Sequence, residues 1–334
     1  MNSGVLNKLF CMQEGHGGQS GVPIILAPMA GITDWAYRLI CGLNGCDAAF
    51  TEMISAQGYL YARRSRSAYQ RLICRAPYEK PLILQLFGHE GNYLAEAARS
   101  LSELGRYVAI DINMGCPARK VTSGGSGSAL MKNEILAGSL IRQTVRASSL
   151  PVSVKIRLGW DEAHINAARI AHIAQEEGAA FITVHGRTTV QQYAGHASME
   201  QIALVKSQVS IPVIANGDIA SGQDAANALQ VTGADAIAIG RGALGNPWVF
   251  DQIHYYLAKE PWTPPAIKER LATARQHARF LQASAGERMA LLQMRKFYAW
   301  YIKGIRGASE VRSRINTALS FPEIDRLLDG LTDI

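Results

Sequence analysis

Short runs of apolar and β-branched residues recur along the first part of the chain, at Ile24–Met29, Ala48–Met53, Leu82–Gly88, Ala109–Gly115, Val152–Gly159, Phe181–Arg187, Pro212–Ile219 and Ala236–Gly242. Each is strand-sized, and between them lie stretches that can form helices, such as Gly91–Leu104, Ile135–Ser148, His164–Glu177, Met199–Gln208 and Ser221–Thr232. Strand alternating with helix predicts a parallel sheet, and a count of eight strands favours closure into a barrel. An open doubly wound sheet is the competing topology. It would put a GxGxxG turn after the first strand, where this chain has Pro28-Met29-Ala30-Gly31 instead.

After Gly245-Asn246-Pro247 the strand pattern stops, Pro261, Pro264 and Pro265 mark a linker, and the remainder reads as helices. The expected fold is therefore α/β, a (β/α)8 TIM barrel followed by a small all-helical C-terminal domain. Its parts are a polar, frayed N-terminal extension (1–21), the barrel (22–255) and the helical domain (256–334). A length of 334 residues accommodates one barrel of about 250 residues and a second small unit.

Charge changes this picture more than composition does. Net charge is +7, yet residues 268–314 hold eleven Lys or Arg against Glu269, Glu287 and Glu310, a local balance of +8 that leaves the rest of the chain at −1. A cationic patch on a near-neutral body points to a polyanion such as nucleic acid, with a solvated helix face as the plainer alternative. Arg288, Arg295 and Arg306 stand seven and eleven residues apart and would share one face of an uninterrupted helix, although Gly304 is placed to end it. With 48% hydrophobic and 18% charged residues and no apolar run of spanning length, neither disorder nor a membrane class is indicated. Five scattered cysteines without CxxC spacing argue against a disulfide framework or a zinc site, so a reducing cytoplasm and no metal are expected.

A barrel carries its chemistry at the C-terminal ends of its strands. Those ends hold Gln85, Asn113, Cys116, Lys155, Arg157, His185, Asn216, Asp218 and Arg241, a polar set that an inert barrel does not need. Asn216-Gly217-Asp218 and Gly240-Arg241-Gly242 are glycine turns on adjacent strands, each leading toward a helix, with an arginine beside them. Together they suit a phosphate. Lys155 and Arg157 project to one side of their strand and require an anionic or carbonyl group between them, either a ligand or a carboxylate such as Asp111 or Asp218. Cys116 precedes Pro117 and opens the Gly-rich loop Ala118–Ser128, which as a mobile segment is able to bring a thiol over a substrate. The run Gly124–Ser128 lacks the GxxxxGK[ST] pattern, so it gives no support for triphosphate binding.

These motifs resemble the bacterial tRNA-dihydrouridine synthases from residue 22 to about 320. The matching segments are Ala27-Pro28-Met29-Ala30-Gly31-Ile32-Thr33-Asp34, Gln85-Leu86-Phe87-Gly88, Asp111-Ile112-Asn113-Met114-Gly115-Cys116-Pro117 and Val154-Lys155-Ile156-Arg157-Leu158-Gly159-Trp160. His185-Gly186-Arg187-Thr188, Pro212-Val213-Ile214-Ala215-Asn216-Gly217-Asp218 and Ile239-Gly240-Arg241 follow in the same order. The resemblance implies FMN held by Pro28, Met29, Ala30, Gln85, Lys155, His185, Asn216, Gly217, Asp218, Gly240 and Arg241. It implies Cys116 as general acid, and Asn113, Arg157 and Tyr193 around a uracil. In that family NADPH reduces FMN, hydride passes to C6 of uracil and the cysteine protonates C5.

The implied partner is tRNA, with rRNA a further candidate, and the helical domain with Arg288, Arg295 and Arg306 would supply affinity for it. A long leader and a Gly- and Ser-rich Val121–Ser128 stretch depart from many members and leave the target uridine open. Two other readings stand beside this one. A flavin barrel acting on a free pyrimidine accounts for the mouth but not for the +8 domain. An RNA-binding barrel without chemistry accounts for the domain but not for Cys116 and Lys155.

Overall fold

The computed structural model describes Phe10, residues 21–62 and residues 66–331. Nine strands occur among these: β1 (Ile24–Leu26), β2 (Ala48–Phe50), β3 (Ile54–Ser55), β4 (Leu82–Phe87), β5 (Ala109–Met114), β6 (Val152–Arg157), β7 (Phe181–His185), β8 (Val213–Asn216) and β9 (Ala236–Ile239). All pairings are parallel. Each of β4 to β9 pairs with its sequential neighbour, and β1 joins β2 on one side and β9 on the other. With β2 paired to β4, eight strands close a (β/α)8 TIM barrel, and the two-residue β3 extends the β4 edge at the top. All eight expected strands are present, and each stops short at its C-terminal end. There the chain leaves the ladder to build the mouth.

Alternation along the strands separates two environments. Ile110, Ile112, Val154, Ile156, Ile182 and Val184 face outward and pack under the helices. The opposite parity fills the barrel. At its lower level lie Ile25, Ala48, Ala109, Phe181, Ile214 and Ala236, with the Phe10 ring edge-on to Phe181 at 5.4 Å. Phe10 thus packs against the barrel floor, a contact not expected of a frayed polar extension, while the rest of residues 1–20 lies outside the described residues. Further up, the same parity carries Gln85, Asp111, Asn113, Ser153, Lys155, Arg157, Thr183, His185 and Asn216, all buried. The barrel interior is apolar below and polar above.

Beyond helix Val249–Leu257 and residues 258–266 come four helices, Ile267–Ala285, Glu287–Tyr301, Ala308–Thr317 and Phe321–Asp329. Ser320 caps the last through the Glu323 N–H, and Arg275 ties it to the first through Asp325 (2.9 Å) and Asp329 (2.6 Å). The helices dock on the barrel through an aromatic cluster. His277 lies 5.4 Å from Tyr37 and 4.4 Å from Phe297, and Tyr37 donates its hydroxyl to the Ala243 carbonyl. Gly245 is required at the joint: its φ is 68°, and a Cβ there would meet the Trp300 backbone at 2.4 Å. No helix among the described residues is long and apolar enough to cross a membrane, and no group of three His, Cys, Asp or Glu among them is arranged to hold a metal ion.

Candidate active site

The C-terminal ends of the strands surround a cavity of about 1010 Å³. Its wall includes every barrel residue singled out from the sequence: Pro28, Met29 and Ala30 after β1, Gln85 on β4, Asn113 on β5, Cys116 beyond it, and Lys155 and Arg157 on β6. His185 ends β7, Tyr193 follows, and Asn216, Gly217, Asp218, Gly240 and Arg241 complete the wall. Period-2 alternation brings Gln85, Asn113, Lys155, Arg157, His185 and Asn216 inward together.

Positive charge dominates this wall. Burial pushes the Lys155 ammonium down to about 8, with Arg157 adding to the effect, and its Nζ donates to Asn216 Oδ1 at 2.9 Å. Burial likewise brings Arg157 down to about 10, so both remain cations at neutral pH. His185 is held neutral, because burial and then Lys155, Arg157, Arg187 and Arg241 push its imidazole far below the usual range. The opposing carboxylate is Asp218, a non-glycine residue at φ 49°. Burial raises its carboxyl, but the Arg187 hydrogen bonds, the Ala197 N–H and Arg241 together outweigh that and lower it. The four cations Lys155, Arg157, Arg187 and Arg241 outnumber Asp218 and the deeper Asp111, and the excess suits an anionic ligand.

The Asp218 carboxylate, on the cavity wall, is held by Arg187 (2.6 Å) and Arg241 (3.0 Å). It orients Arg241 beside two glycines. Gly217 has φ 126°, and a Cβ there would lie 2.6 Å from Ala197 Cβ. At Gly240 the nearest atoms, Ala27 Cβ and Met29 Sδ, are 3.9 Å from a Cβ position, so the backbone is open to a close approach. This part of the mouth accommodates a phosphate.

Arg157 pairs with neither Asp111 nor Asp218. It is 1% exposed and donates to the carbonyls of Gly115 (2.9 Å), Thr188 (2.7 Å) and Gln192 (2.8 Å), joining the Cys116 segment to the Tyr193 loop. These bonds use Nε and Nη1, so Nη2 is directed to none of them. Tyr193 is 54% exposed, with its ring 4.8 Å from the Arg241 guanidinium carbon and 5.6 Å from that of Arg157. A cation-flanked ring at the cavity lip is a stacking platform.

The segment after Cys116 is more ordered than an open loop. Arg119–Thr122 is a helical turn, Gly127–Lys132 is a 3-10 helix, and Ser128 donates to the Cys116 carbonyl through N (3.1 Å) and Oγ (3.0 Å). Gly127 is at φ 61°, and a Cβ there would lie 2.8 Å from that carbonyl oxygen. Cys116 is a free, half-buried thiol, whereas Cys41 and Cys46 are buried.

The three C-terminal arginines do not form the single face that their spacing suggested. The helix ends at Tyr301 and Gly304 takes φ 82°, so Arg306 lies beyond it. Arg295 is half-buried and donates to the Ala318 carbonyl at 3.3 Å, while Arg288 and Arg306 are exposed. Several further residues of the mouth and the joint carry weaker sequence signals or none. Arg187 had a signal, its own period-2 relation to His185, and the pair Arg119-Lys120, exposed on the cavity wall, had one in its closeness to Cys116. Lys296 had none: its Nζ donates to the Gly31 carbonyl, linking the helical domain to the loop after β1 across 265 residues.

The family model for dihydrouridine synthase matches residues 25–329. A probable tRNA-dihydrouridine synthase of Rickettsia conorii is 42% identical over 294 residues, covering 88% of this chain and 88% of the relative. The tRNA-dihydrouridine synthase B of Pseudomonas syringae pv. tomato is 41% identical over 297 residues (88% and 86%), and that of Xanthomonas axonopodis pv. citri 42% over 296 (88% of each).

Proposed function

The chain belongs to the dihydrouridine synthase family, and from that premise we propose that it reduces the C5=C6 bond of uridines in tRNA, with FMN in the barrel mouth and NADPH as reductant. The observation that carries this is the convergence on one cavity of a thiol, carbonyl-seeking side chains and a phosphate-type glycine cradle. When bound, FMN supplies the hydride, taken from NADPH, that is added to C6 of the uracil.

The residues present suit that cofactor. Gly217, Gly240 and Arg241 would hold the phosphate, with Asp218 orienting Arg241. Pro28, Met29, Ala30 and Gln85 would line the ring, and Lys155, Asn216 and the neutral His185 would hydrogen-bond its polar edge. Reduction at C6 builds negative charge on the uracil and its carbonyl. Arg157 Nη2 and Asn113 Nδ2 donate to that charge, and Cys116 Sγ gives its proton to C5.

A paired uridine is out of reach inside a stack, so the RNA presents it extruded. Tyr193 offers the exposed ring beside it, and Arg119, Lys120 and the cations of the helical domain meet the phosphates. Such a reaction belongs to the cytoplasm, where tRNA is processed. The test is direct. The purified chain should be yellow and, with NADPH, should form dihydrouridine in tRNA lacking that modification; a colourless protein that takes up no FMN on reconstitution would overturn the reading.

A further inference from the structure

Beneath the cavity wall lies a carboxylate that touches neither the cavity nor any arginine. Asp111 is 0% exposed and sits between Gln85 of β4 and Ser153 of β6, which are its partners in the strand registers. We propose that Asp111 is a positioning residue for uridine reduction: acting through Gln85 and Asn113, it sets the direction of both side-chain amides and hence the seat of the Cys116 backbone. The inference rests on the function proposed above.

The direction follows from hydrogen-bond chemistry. An ionised carboxylate only accepts. Burial pushes the Asp111 carboxyl up to about 6, against Ser153, Gln85 and Lys155, which leaves it ionised at neutral pH. Ser153 Oγ donates to one oxygen at 2.6 Å, and Gln85 donates to the other through Nε2 at 2.8 Å. Gln85 Oε1 therefore faces Asn113, which donates through Nδ2 at 2.8 Å. Asn113 Oδ1 then faces the turn beyond β5, where the N–H groups of Cys116 (2.9 Å) and Gly115 (3.3 Å) donate to it.

Both ends of this chain are fixed, one by an acceptor-only carboxylate and the other by donor-only backbone. The two amides between them have a single satisfied orientation. The Gln85 NH₂ keeps one further hydrogen, the second hydrogen of the Asn113 NH₂ meets only the weak thioether acceptor Met53 Sδ at 3.8 Å, and both residues line the cavity. The wall beside Cys116 is thereby committed to donors, which suit ring carbonyl oxygens.

The polarity of the chain can be reversed by exchanging its ends. Asn113→Asp alone sets a carboxylate against Gln85 Oε1 and should slow dihydrouridine formation by about 10²-fold, as for loss of an aimed donor. Asp111→Asn alone should cost only a few-fold, since Ser153 can turn its hydroxyl to accept. In the double variant the new amide at 111 donates to Gln85, which donates to the new carboxylate at 113. Residues 111 and 113 are thus coupled through Gln85, and the double variant should be about tenfold faster than Asn113→Asp.

Urea unfolding of the full chain should show the same non-additivity, with the double variant more stable than Asn113→Asp. Additive effects in rate and stability would overturn the proposal. If Asn113→Asp does not fold, recovery of folded protein in the double variant reads the same coupling, and failure of both overturns it. An unaltered chain that forms no dihydrouridine would sink the functional reading, while the stability cycle would still decide the network.

Discussion

The barrel mouth and the helical domain are both rich in cations, but the buried arginines of the first and the exposed cations of the second are held in opposite ways. In the mouth, Arg157 and Arg187 are 1% exposed, each tied to carbonyls or to Asp218 at fixed distances. In the helical domain, Arg288, Lys303, Arg306 and Arg312 are exposed. Desolvated, immobilised cations act on particular atoms of a ligand, and their geometry is set before the ligand arrives. Exposed cations on flexible stems provide a field that any phosphate chain feels and that salt weakens. Arg295 belongs to neither group, because its guanidinium donates into the helical domain.

The sharpest test of this contrast is in the mouth. Cys116→Ala should lower dihydrouridine formation by about 10²-fold or more, the weight of a general acid, while NADPH continues to reduce the flavin. Equal loss in both half-reactions would mean that Cys116 supports the fold instead.

The joint between the regions comes next. Burial, aided by Lys296, pushes His277 down to about 3, whereas in the unfolded chain it takes a proton near 6.5. Its contribution to stability is complete above pH 6.5 and is lost as the pH falls toward 3, amounting to about 2 kcal/mol by pH 5. Urea unfolding at pH 7 and pH 5 should therefore show a larger acid loss in the wild type than in His277→Phe. Equal losses would place the acid sensitivity elsewhere.

A smaller effect is expected at the phosphate cradle. Arg241→Ala should weaken FMN retention about tenfold or more, the size of a lost charge-assisted hydrogen bond, as read by equilibrium dialysis. Retention at the wild-type level would move the phosphate away from Gly240.

The smallest change per residue belongs to the exposed set. Replacing Arg288 and Arg306 by Glu should weaken tRNA binding a few-fold and reduce its salt slope by about 2, one for each phosphate contact, measured from roughly 50 to 200 mM salt. Flavin content should not change. An unaltered slope would show that these arginines do not meet RNA, and would turn attention to Arg119 and Lys120 at the mouth.

Eight strands, their parallel order and the wall of the cavity were legible because each rests on local periodicity. Apolar alternation marks a strand, and in a barrel the polar residue of the right parity at a strand end must face the mouth, as Gln85, Lys155 and His185 do. The family motifs were legible for the same reason, being contiguous.

Tertiary structure alone decided what depends on groups distant in sequence. The turn of the Asp218 carboxylate toward Arg187 and Arg241, the hold of Arg157 on three carbonyls, and the reach of Lys296 to Gly31 all join separate elements. Spacing put Arg288, Arg295 and Arg306 on one face of an uninterrupted helix and marked Gly304 as placed to end it, and the helix does stop just before, at Tyr301; that Arg295 turns to the Ala318 carbonyl only the fold decided. Backbone geometry repeats along a chain, so periodicity can report it. The partner of a buried charge is whichever group the closed fold brings within about 3 Å, and no period in the sequence records that distance.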